Sequence, residues 1–523
     1  MDNADVLVPV KAAASSRRDL FRFGLALGFL VVVFVAAQTV AAGISGANLL
    51  VAAAVIGAYM AMNIGANDVA NNVGPAVGSR AMTLGGAIAI AAIFEAAGAL
   101  IAGGEVVSTI KGGIINPATI GDVDTFIWLM TAALLAGALW LNIATALGAP
   151  VSTTHSIVGG VLGAGIAAGG FGIANWSTMG KIAASWVISP VLGGLIAATF
   201  LYIIKRTITY QPRMRQAARK VVPLLVALMA WAFATYLVMK GLKHIWKVGF
   251  GGAAAIGLGV AVVVFTLVRK LVARNADALP ASKEGINRLF TVPLIFAAAL
   301  LSFAHGANDV ANAVGPLAAI NEAIVHGGVV AKAGIPLWVM LVGAIGISIG
   351  LALYGPKLIR TVGSEITELD QMRAFCIAMA AAITVIVASQ LGLPVSSTHI
   401  AVGAVFGVGF LREYLKTNYS AMIAEIKAHH EGAGQAEVDA FLNAFTKGTI
   451  KERGQMLREL KQRSDQDPTI SKTERKGLKR VYKTELVKRT HLVRIIAAWL
   501  VTVPISALIA AFLYFTVRGM MLP

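Results

Sequence analysis

The heptapeptide GANDVAN occurs twice in this chain, at residues 65–71 and again at residues 306–312. Each copy is followed two residues later by Val-Gly-Pro, at 73–75 and at 314–316. A second motif repeats in the same order, because PVSTTH at 150–155 returns as PVSSTH at 394–399. The offset is 241 residues for the first motif and 244 for the second. Two motifs in one order and nearly one register indicate an internal duplication.

Composition places the duplicated chain in a membrane. Of its 523 residues 57% are hydrophobic and only 13% are charged, and the mean hydropathy is +0.76. A soluble domain has about 25% charged residues. The 55 glycines fit closely packed membrane helices, which use small residues at their contacts.

The net charge of +18 comes from short basic clusters between apolar runs, as in the cytoplasmic loops of membrane proteins. No nucleic-acid-binding signature accompanies it, so we predict no nucleic-acid partner. The single cysteine, Cys376, excludes an intrachain disulfide and a cysteine metal cluster.

Thirteen apolar runs predict an all-α integral membrane protein with about 12–13 helices, some of them discontinuous or re-entrant. They lie near 23–45, 47–64, 82–103, 126–148, 151–172, 183–204, 221–239, 249–268, 289–304, 335–355, 373–391, 394–411 and 493–517.

Charge and repeats divide the chain into five predicted parts. They are a cytoplasmic N-terminus with an extra helix (1–46), a first repeat (47–204), a basic linker with two connecting helices (205–288), a second repeat (289–411 with 493–517), and a cytoplasmic hydrophilic segment of amphipathic helices (412–492).

The basic loops also predict how the repeats are related. Arginines before the first apolar run place the N-terminus inside, and the basic stretch 205–220 is inside as well. The first repeat then begins outside and ends inside. Two connecting helices return the chain to the inside, where the second repeat begins. The repeats are therefore inverted, which is the architecture of secondary transporters.

The first motif predicts a cation site. Asp68 and Asp309 end apolar runs, and a charge at bilayer depth costs about 2.5–3.5 kcal/mol on insertion scales, so such residues are usually functional. Helix capping at a membrane surface is the alternative. Asparagines before and after each aspartate add amide oxygens suited to a small hard cation such as sodium: Asn67, Asn71, Asn308 and Asn312.

The second motif predicts an anion site. Three hydroxyl residues follow each proline and precede an apolar, glycine-rich helix. A helix N-terminus offers free N–H groups and partial positive charge, although plain capping of a buried helix would use the same residues. His155 and His399 are expected to orient the turn by hydrogen bonding rather than to bind a metal.

Phosphate fits this combination better than sulfate, because phosphate at neutral pH still has a proton to donate to a carboxylate. Glu95 is a further carboxylate within an apolar run. Aligned by Gly98 and Gly350, its counterpart in the second half is Ile347. This asymmetry suggests a coupling or gating role, or alternatively a helix-contact hydrogen bond.

The paired motifs resemble the signatures of the PiT inorganic phosphate transporter family over roughly 47–411 and the last helix. The resemblance implies cation-coupled phosphate uptake through one central site. By position, the implied phosphate ligands are Asp68, Ser152, Thr153, Thr154, Asp309, Ser396, Ser397 and Thr398. Both aspartates and the four asparagines would be the cation side. The Gly-Ala-Asn-Asp form resembles sodium-coupled members. Residues 374–378 lack a glutamate that members often carry, and the helix at 23–45 looks like an addition to the family core.

We therefore expect a sodium-coupled phosphate symporter in the plasma or inner membrane. It would have no cofactor, catalytic residues or resident metal, and its partners would be phosphate, sodium and the bilayer. Proton coupling, a metal–phosphate cargo, a sulfate permease, a channel and a homo-oligomer remain open alternatives. An intramembrane hydrolase would need one asymmetric constellation with its nucleophile and base, which a duplicated site does not offer.

Overall fold

The computed structural model is built from helices throughout the part of the chain that it describes. Eleven spans of that part are long and apolar enough to cross a membrane, judged by length and composition. The predicted all-α integral membrane fold is therefore confirmed. The described residues are 17–149, 151–211, 213–241, 248–280, 282–327, 334–365, 369–416, 439–444, 455–456, 459 and 489–521.

The first half begins after α1, Arg17–Ala41, which packs against α2 and α14 and is the predicted extra helix. A broken helix pair opens the half, and five further helices complete it. They are α2 (Ala47–Asn67), α3 (Ala70–Gly78), α4 (Leu84–Ala102), α5 (Gly104–Gly112), α6 (Val123–Leu147), α7 (Thr153–Gly169) and α8 (Trp176–Ile204).

Three helices connect the halves: α9 (Met214–Gly241), α10 (Phe250–Ala278) and the short α11 (Lys283–Arg288). The second half again opens with a broken pair. Its helices are α12 (Thr291–Asp309), α13 (Ala311–His326), α14 (Leu337–Glu365), α15 (Gln371–Gln390), α16 (Ser397–Lys416) and α17 (Arg489–Met521). The five predicted part boundaries stay a prediction.

The two halves interlock through matching helix crossings. α2 lies along α14, and α12 lies along α4. A Cβ at Gly65 would overlap the backbone of Ile347, and a Cβ at Gly306 would overlap the backbone of Glu95. Only glycine permits such close approach. Likewise α7 packs along α17 and α16 along α8, so each hydroxyl motif begins a helix that rests on the other half.

The GANDVAN motifs are helical on both sides of a short irregularity. The apolar runs end near 64 and 304, and the helices continue beyond them, α2 through Asn67 and α12 through Asp309. Helix α3 then starts with a tightened turn, in which Asn71 N donates to Asp68 O at 3.0 Å. The helices α2 and α12 thus end within the polar motif, and a new helix resumes there after one or two residues.

The outer surface of the bundle carries large apolar side chains, with Phe21 of α1 66% and Leu508 of α17 71% exposed. Such a surface suits lipid rather than water. The amphipathic helices predicted for 412–492 lie outside the described residues, apart from the end of α16, the beginning of α17 and the short pieces within 439–459.

Candidate ion and substrate site

The helices α7 and α16 begin face to face at the centre of the molecule. Ser152 Oγ accepts a hydrogen bond from His155 N at 3.1 Å, and Ser396 Oγ accepts one from His399 N at 3.2 Å. The two serines, predicted as phosphate ligands, thus serve as N-caps here. Their capping sets the direction of the hydroxyls that follow.

Those hydroxyls converge on the two aspartates. Thr153 Oγ1 lies 2.7 Å from Asp68 Oδ2 and 3.3 Å from Asp309 Oδ2. Ser397 Oγ donates to Asp309 Oδ2 at 3.1 Å, and Thr398 donates to Asp68 Oδ1. All five side chains are buried. One hydroxyl therefore lies within hydrogen-bonding distance of carboxylates from both halves of the duplication.

Two asparagines cross between the halves in the same way. Asn71 Nδ2 donates to Thr398 Oγ1 at 2.9 Å. Asn312 Nδ2 lies 3.2 Å from Thr154 Oγ1 and 3.1 Å from Thr153 Oγ1. Thr154 and Thr398 occupy equivalent places in the repeated motif. Each asparagine thus links its own GANDVAN motif to the hydroxyl motif of the other half.

The other two predicted asparagines brace the segments that lead into α7 and α16. Asn67 Nδ2 donates to Thr145 Oγ1 at 2.9 Å, and Asn67 Oδ1 accepts from Val151 N at 3.2 Å. The amide of Asn308 lies 2.9 Å from Ser389 Oγ, which is the equivalent contact in the second half. These amides fix the loops on which the site depends.

Glu95 joins the site through a residue that the sequence reasoning missed, His305. The Nδ1 of His305 is 2.7 Å from Glu95 Oε2, and its Nε2 is 2.9 Å from Asp309 Oδ2 and 3.9 Å from Asp68 Oδ2. Asn72 Nδ2 donates to Glu95 Oε1 at 2.7 Å. Ligand atoms of Asp68, His305 and Asp309 lie within 4.8 Å of one another, close enough to hold one ion.

A signal for His305 was present in the repeat. At the offset of the first motif its counterpart is Ile64, just as the counterpart of Glu95 is Ile347. His305 and Glu95, the two residues that break the duplication, are in direct contact. Ile347, the counterpart of Glu95, lies against Gly65, which follows Ile64 in the chain.

The expectation for His155 and His399 was wrong. Among the described residues, no ring nitrogen of either histidine has a hydrogen-bond partner. The rings pack on each other with centroids 4.4 Å apart, between Trp186 at 3.8 Å and Trp499 at 3.5 Å. It is their backbone N–H groups that act in the caps, and the rings fill the contact between the halves.

A buried ion pair outside the centre was also missed. Lys111 of α5 contacts Glu322 of α13, and both side chains are less than a tenth exposed. Each lies in a largely apolar stretch, which could have signalled a buried pair.

A lipid-exposed helical bundle with an enclosed polar centre, supplied equally by two repeats, defines a membrane transporter. The chain matches the phosphate transporter family over residues 64–510 and belongs to that family. A Helicobacter pylori protein named "Putative phosphate permease" is 55% identical over 513 residues, with 96% of each chain covered. A relative of that name from Pyrococcus abyssi is 39% identical over 366 residues, covering 70% of this chain and 90% of its own.

A solved structure described as "The sodium-dependent phosphate transporter" has a TM-score of 0.74 and 32% identity, and covers 91% of this chain and 100% of its own. The protein is therefore a multi-pass membrane transporter for phosphate rather than an enzyme.

Proposed function

We propose that the protein is a symporter that couples inorganic phosphate to sodium at the junction of its two halves. The observation that carries the proposal is the carboxylate pair Asp68 and Asp309, which shares hydroxyl donors from both repeats. The sodium dependence named for the solved relative supports the choice of ion.

The charge of the site calls for a cation. Three buried carboxyl groups, those of Asp68, Asp309 and Glu95, surround one imidazole, that of His305. Like charges in a poorly hydrated interior repel strongly, and ionised carboxylates there need a positive partner. Hard cations take carboxylate, hydroxyl and amide oxygens as ligands. Sodium between Asp68 and Asp309 would reach all three types, from the aspartates, Thr153 and Asn71 or Asn312.

The same hydroxyls account for coupling. Thr153, Ser397 and Thr398 contact the carboxylates, and a hydroxyl has one proton to donate. A cation bound by the aspartates competes for their oxygens, which frees those protons to turn towards an anion. Phosphate therefore binds well only when the cation is present.

The two helix starts complete the phosphate site. Helices α7 and α16 direct their first turns at the carboxylate pair, and the N-terminus of a helix stabilises an anion through free N–H groups and partial charge. Thr153, Thr154, Ser397 and Thr398 are the proposed direct donors. Ser152 and Ser396 maintain the helix starts, and the proton of phosphate points at an aspartate.

Protons are the second candidate coupling ion. The observation in their favour is His305, whose ring bridges Glu95 and Asp309 at 2.7 Å and 2.9 Å. Such a chain can carry a proton between two carboxyl groups.

The proposal includes an orientation. The N-terminus lies in the cytoplasm, and the halves cross the plasma or inner membrane in opposite senses. The basic linkers 205–220 and 269–288 then face the cytoplasm, as positive charge in membrane proteins does.

The test is uptake of radiolabelled phosphate into proteoliposomes with and without an inward sodium gradient. Asp68→Asn and Asp309→Asn should each abolish sodium-driven uptake, because each removes half of the carboxylate pair. Asp124→Asn is the matched control, since Asp124 is exposed at the start of α6. Uptake driven equally by a pH gradient without sodium would establish the proton alternative, and sulfate uptake in place of phosphate would refute the substrate.

A further inference from the structure

A cavity of about 800 Å³ with several polar side chains in its lining lies beside the central site, between α1, α2, α6 and α14. Its inner end is lined by Asn63, Ala66 and Thr145. Thr145 accepts the hydrogen bond of Asn67 at 2.9 Å, and Asn67 precedes the site aspartate Asp68. The cavity, here called the vestibule, therefore ends one hydrogen bond away from the site.

Three asparagines of α2 and α3 lie between the vestibule and the site. Asn63, Asn67 and Asn71 are spaced four residues apart, so they lie along one face of the helix pair α2–α3. Asn63 Oδ1 accepts from Asn142 Nδ2 at 3.3 Å across the vestibule. The three side-chain amides follow one another between the vestibule and Thr398, whose hydroxyl contacts Asn71.

The second half has no asparagine in the place of Asn63 or of its partner Asn142. At the motif offsets, the counterpart of Asn63 is Ala304 and that of Asn142 is Ile386. Ala304 is fully buried, and Ile386 packs against apolar neighbours. The polar approach is thus specific to one side of the site.

Charge at the vestibule favours an anion. Among the described residues, its lining includes the cationic side chains of Arg22 and Lys357 and no acidic side chain. Asp19 lies 3.6 Å from Arg22, but Asp19 is 60% exposed and does not line the vestibule. At 3.6 Å the carboxylate of Asp19 offsets part of the field of Arg22. Arg22 belongs to α1, which precedes the stretch that matches the phosphate transporter family.

We propose that the vestibule is the route of phosphate between the central site and one face of the membrane, and that Arg22 draws the anion into it. A cleft lined by one sign of charge concentrates the opposite ion and speeds its entry. The added helix α1 thereby contributes to transport rather than only to anchoring. This inference rests on the proposed function for its ligand, phosphate, but its electrostatic claim is testable without transport.

The experiment measures the potential inside the vestibule with a reporter cysteine. Asn142→Cys is made in a Cys376→Ala background, since Asn142 is exposed in the vestibule and Cys376 is buried. Its reaction rates with an anionic and a cationic methanethiosulfonate are each divided by the rate with a small free thiol. Their ratio reports the local potential, and added inorganic phosphate should slow the reaction.

Arg22→Glu should lower the anionic-to-cationic ratio by about threefold or more, because the lining loses a positive charge and gains a negative one. Arg22→Gln should give about half that change on a logarithmic scale. Arg17→Glu is the matched control: it makes the same charge change on an exposed site of α1 outside the vestibule, so salt should screen most of its effect.

An unreactive Asn142→Cys, a ratio unchanged by Arg22→Glu, or an equal fall with Arg17→Glu would overturn the proposal. Because the readout is a chemical rate on purified protein, it stands even if phosphate uptake proves proton-driven. Conversely, a failure here leaves the sodium-gradient experiment unaffected.

Discussion

The imidazole of His305 contacts two carboxyl groups at once, Glu95 through Nδ1 and Asp309 through Nε2. In the proposed function, Glu95 would act on the cation site by holding that ring. We expect Glu95→Gln to lower sodium-driven phosphate uptake about tenfold or more, because a hydrogen bond to a charged group contributes about 1.5–3 kcal/mol. His305→Gln should cost as much. Uptake is measured as a function of sodium concentration.

The double variant Glu95→Gln/His305→Gln distinguishes a Glu95 that acts through His305 from two residues that act independently. Residues that act through one another are not additive, so the double variant should resemble the worse single variant. A double variant whose loss equals the product of the two single losses would contradict the positioning role.

Substitution of Thr398 tests the hydrogen bonds that link the two halves. Its hydroxyl accepts from Asn71 at 2.9 Å and donates to Asp68. Thr398→Val keeps the shape of the side chain but removes one hydrogen bond from each of these two buried partners. We expect uptake to fall about tenfold or more. Thr398→Ser keeps the hydroxyl and is the matched control, with activity near that of the parent. Equal activity of the valine and serine variants would exclude a role for this hydroxyl.

The sequence could predict the aspartates and hydroxyls because the duplication marks them twice. It could not predict which of these hydroxyl residues caps a helix and which contacts the aspartates. Ser152 caps a helix whereas Thr153 reaches both aspartates, and that difference depends on where α7 meets α2 and α12. The contact of His305 with Glu95 joins residues 210 positions apart, so only the packed halves reveal it.

At the scale of helices, the crossings of α2 with α14 and of α12 with α4 depend on glycine. Gly65→Ala would place a methyl group into the backbone of Ile347. Overpacking of this kind costs about 1–3 kcal/mol, and we expect the melting temperature in detergent to fall by about 3 °C or more. Gly85→Ala in α4 is the matched control, since nothing lies within 4 Å of its Cβ. If the Gly65→Ala protein were as stable as the control, α2 and α14 could move apart without loss of stability, which would contradict this account.

The pair Lys111–Glu322 ties α5 to α13. Lys111→Met leaves a buried carboxylate without its partner, which costs about 3–5 kcal/mol. The double variant Lys111→Met/Glu322→Leu should regain most of the lost thermal stability. A double variant less stable than the single one would contradict this account.

Hydropathy located thirteen apolar runs, and eleven spans of the described residues are long and apolar enough to cross a membrane. The runs near 47–64 and 289–304 stop before α2 and α12 do, since a polar Asn-Asp pair lowers hydropathy even where its partners are protein groups. Helix α5 follows α4 after Gly103 alone. Such a break is a matter of packing, and a hydropathy window does not resolve it.

At the scale of the whole molecule, one site built from two repeats explains why the halves must interlock. Each GANDVAN motif is bonded to the hydroxyl motif of the other half through Asn71 and Asn312. Neither half alone provides both aspartates or both helix starts. Rocking one half against the other would therefore change the distance between Asp68 and Asp309, and with it the affinity for cation and phosphate together.

The proposed inversion of the halves predicts which exposed positions share a face of the membrane. Ser177, in the first turn of α8, should lie outside with Asp124, whereas Gln211 and Lys283 should lie in the cytoplasm; all four are exposed. Single cysteines at these positions, in the Cys376→Ala background, are treated in intact cells with a membrane-impermeant maleimide. We expect labelling of Ser177→Cys and Asp124→Cys alone, and labelling of the other two only after permeabilisation. Labelling of Lys283→Cys in intact cells would place the start of the second half outside, so the halves would be parallel and the proposed rocking about a shared central site would lose its basis.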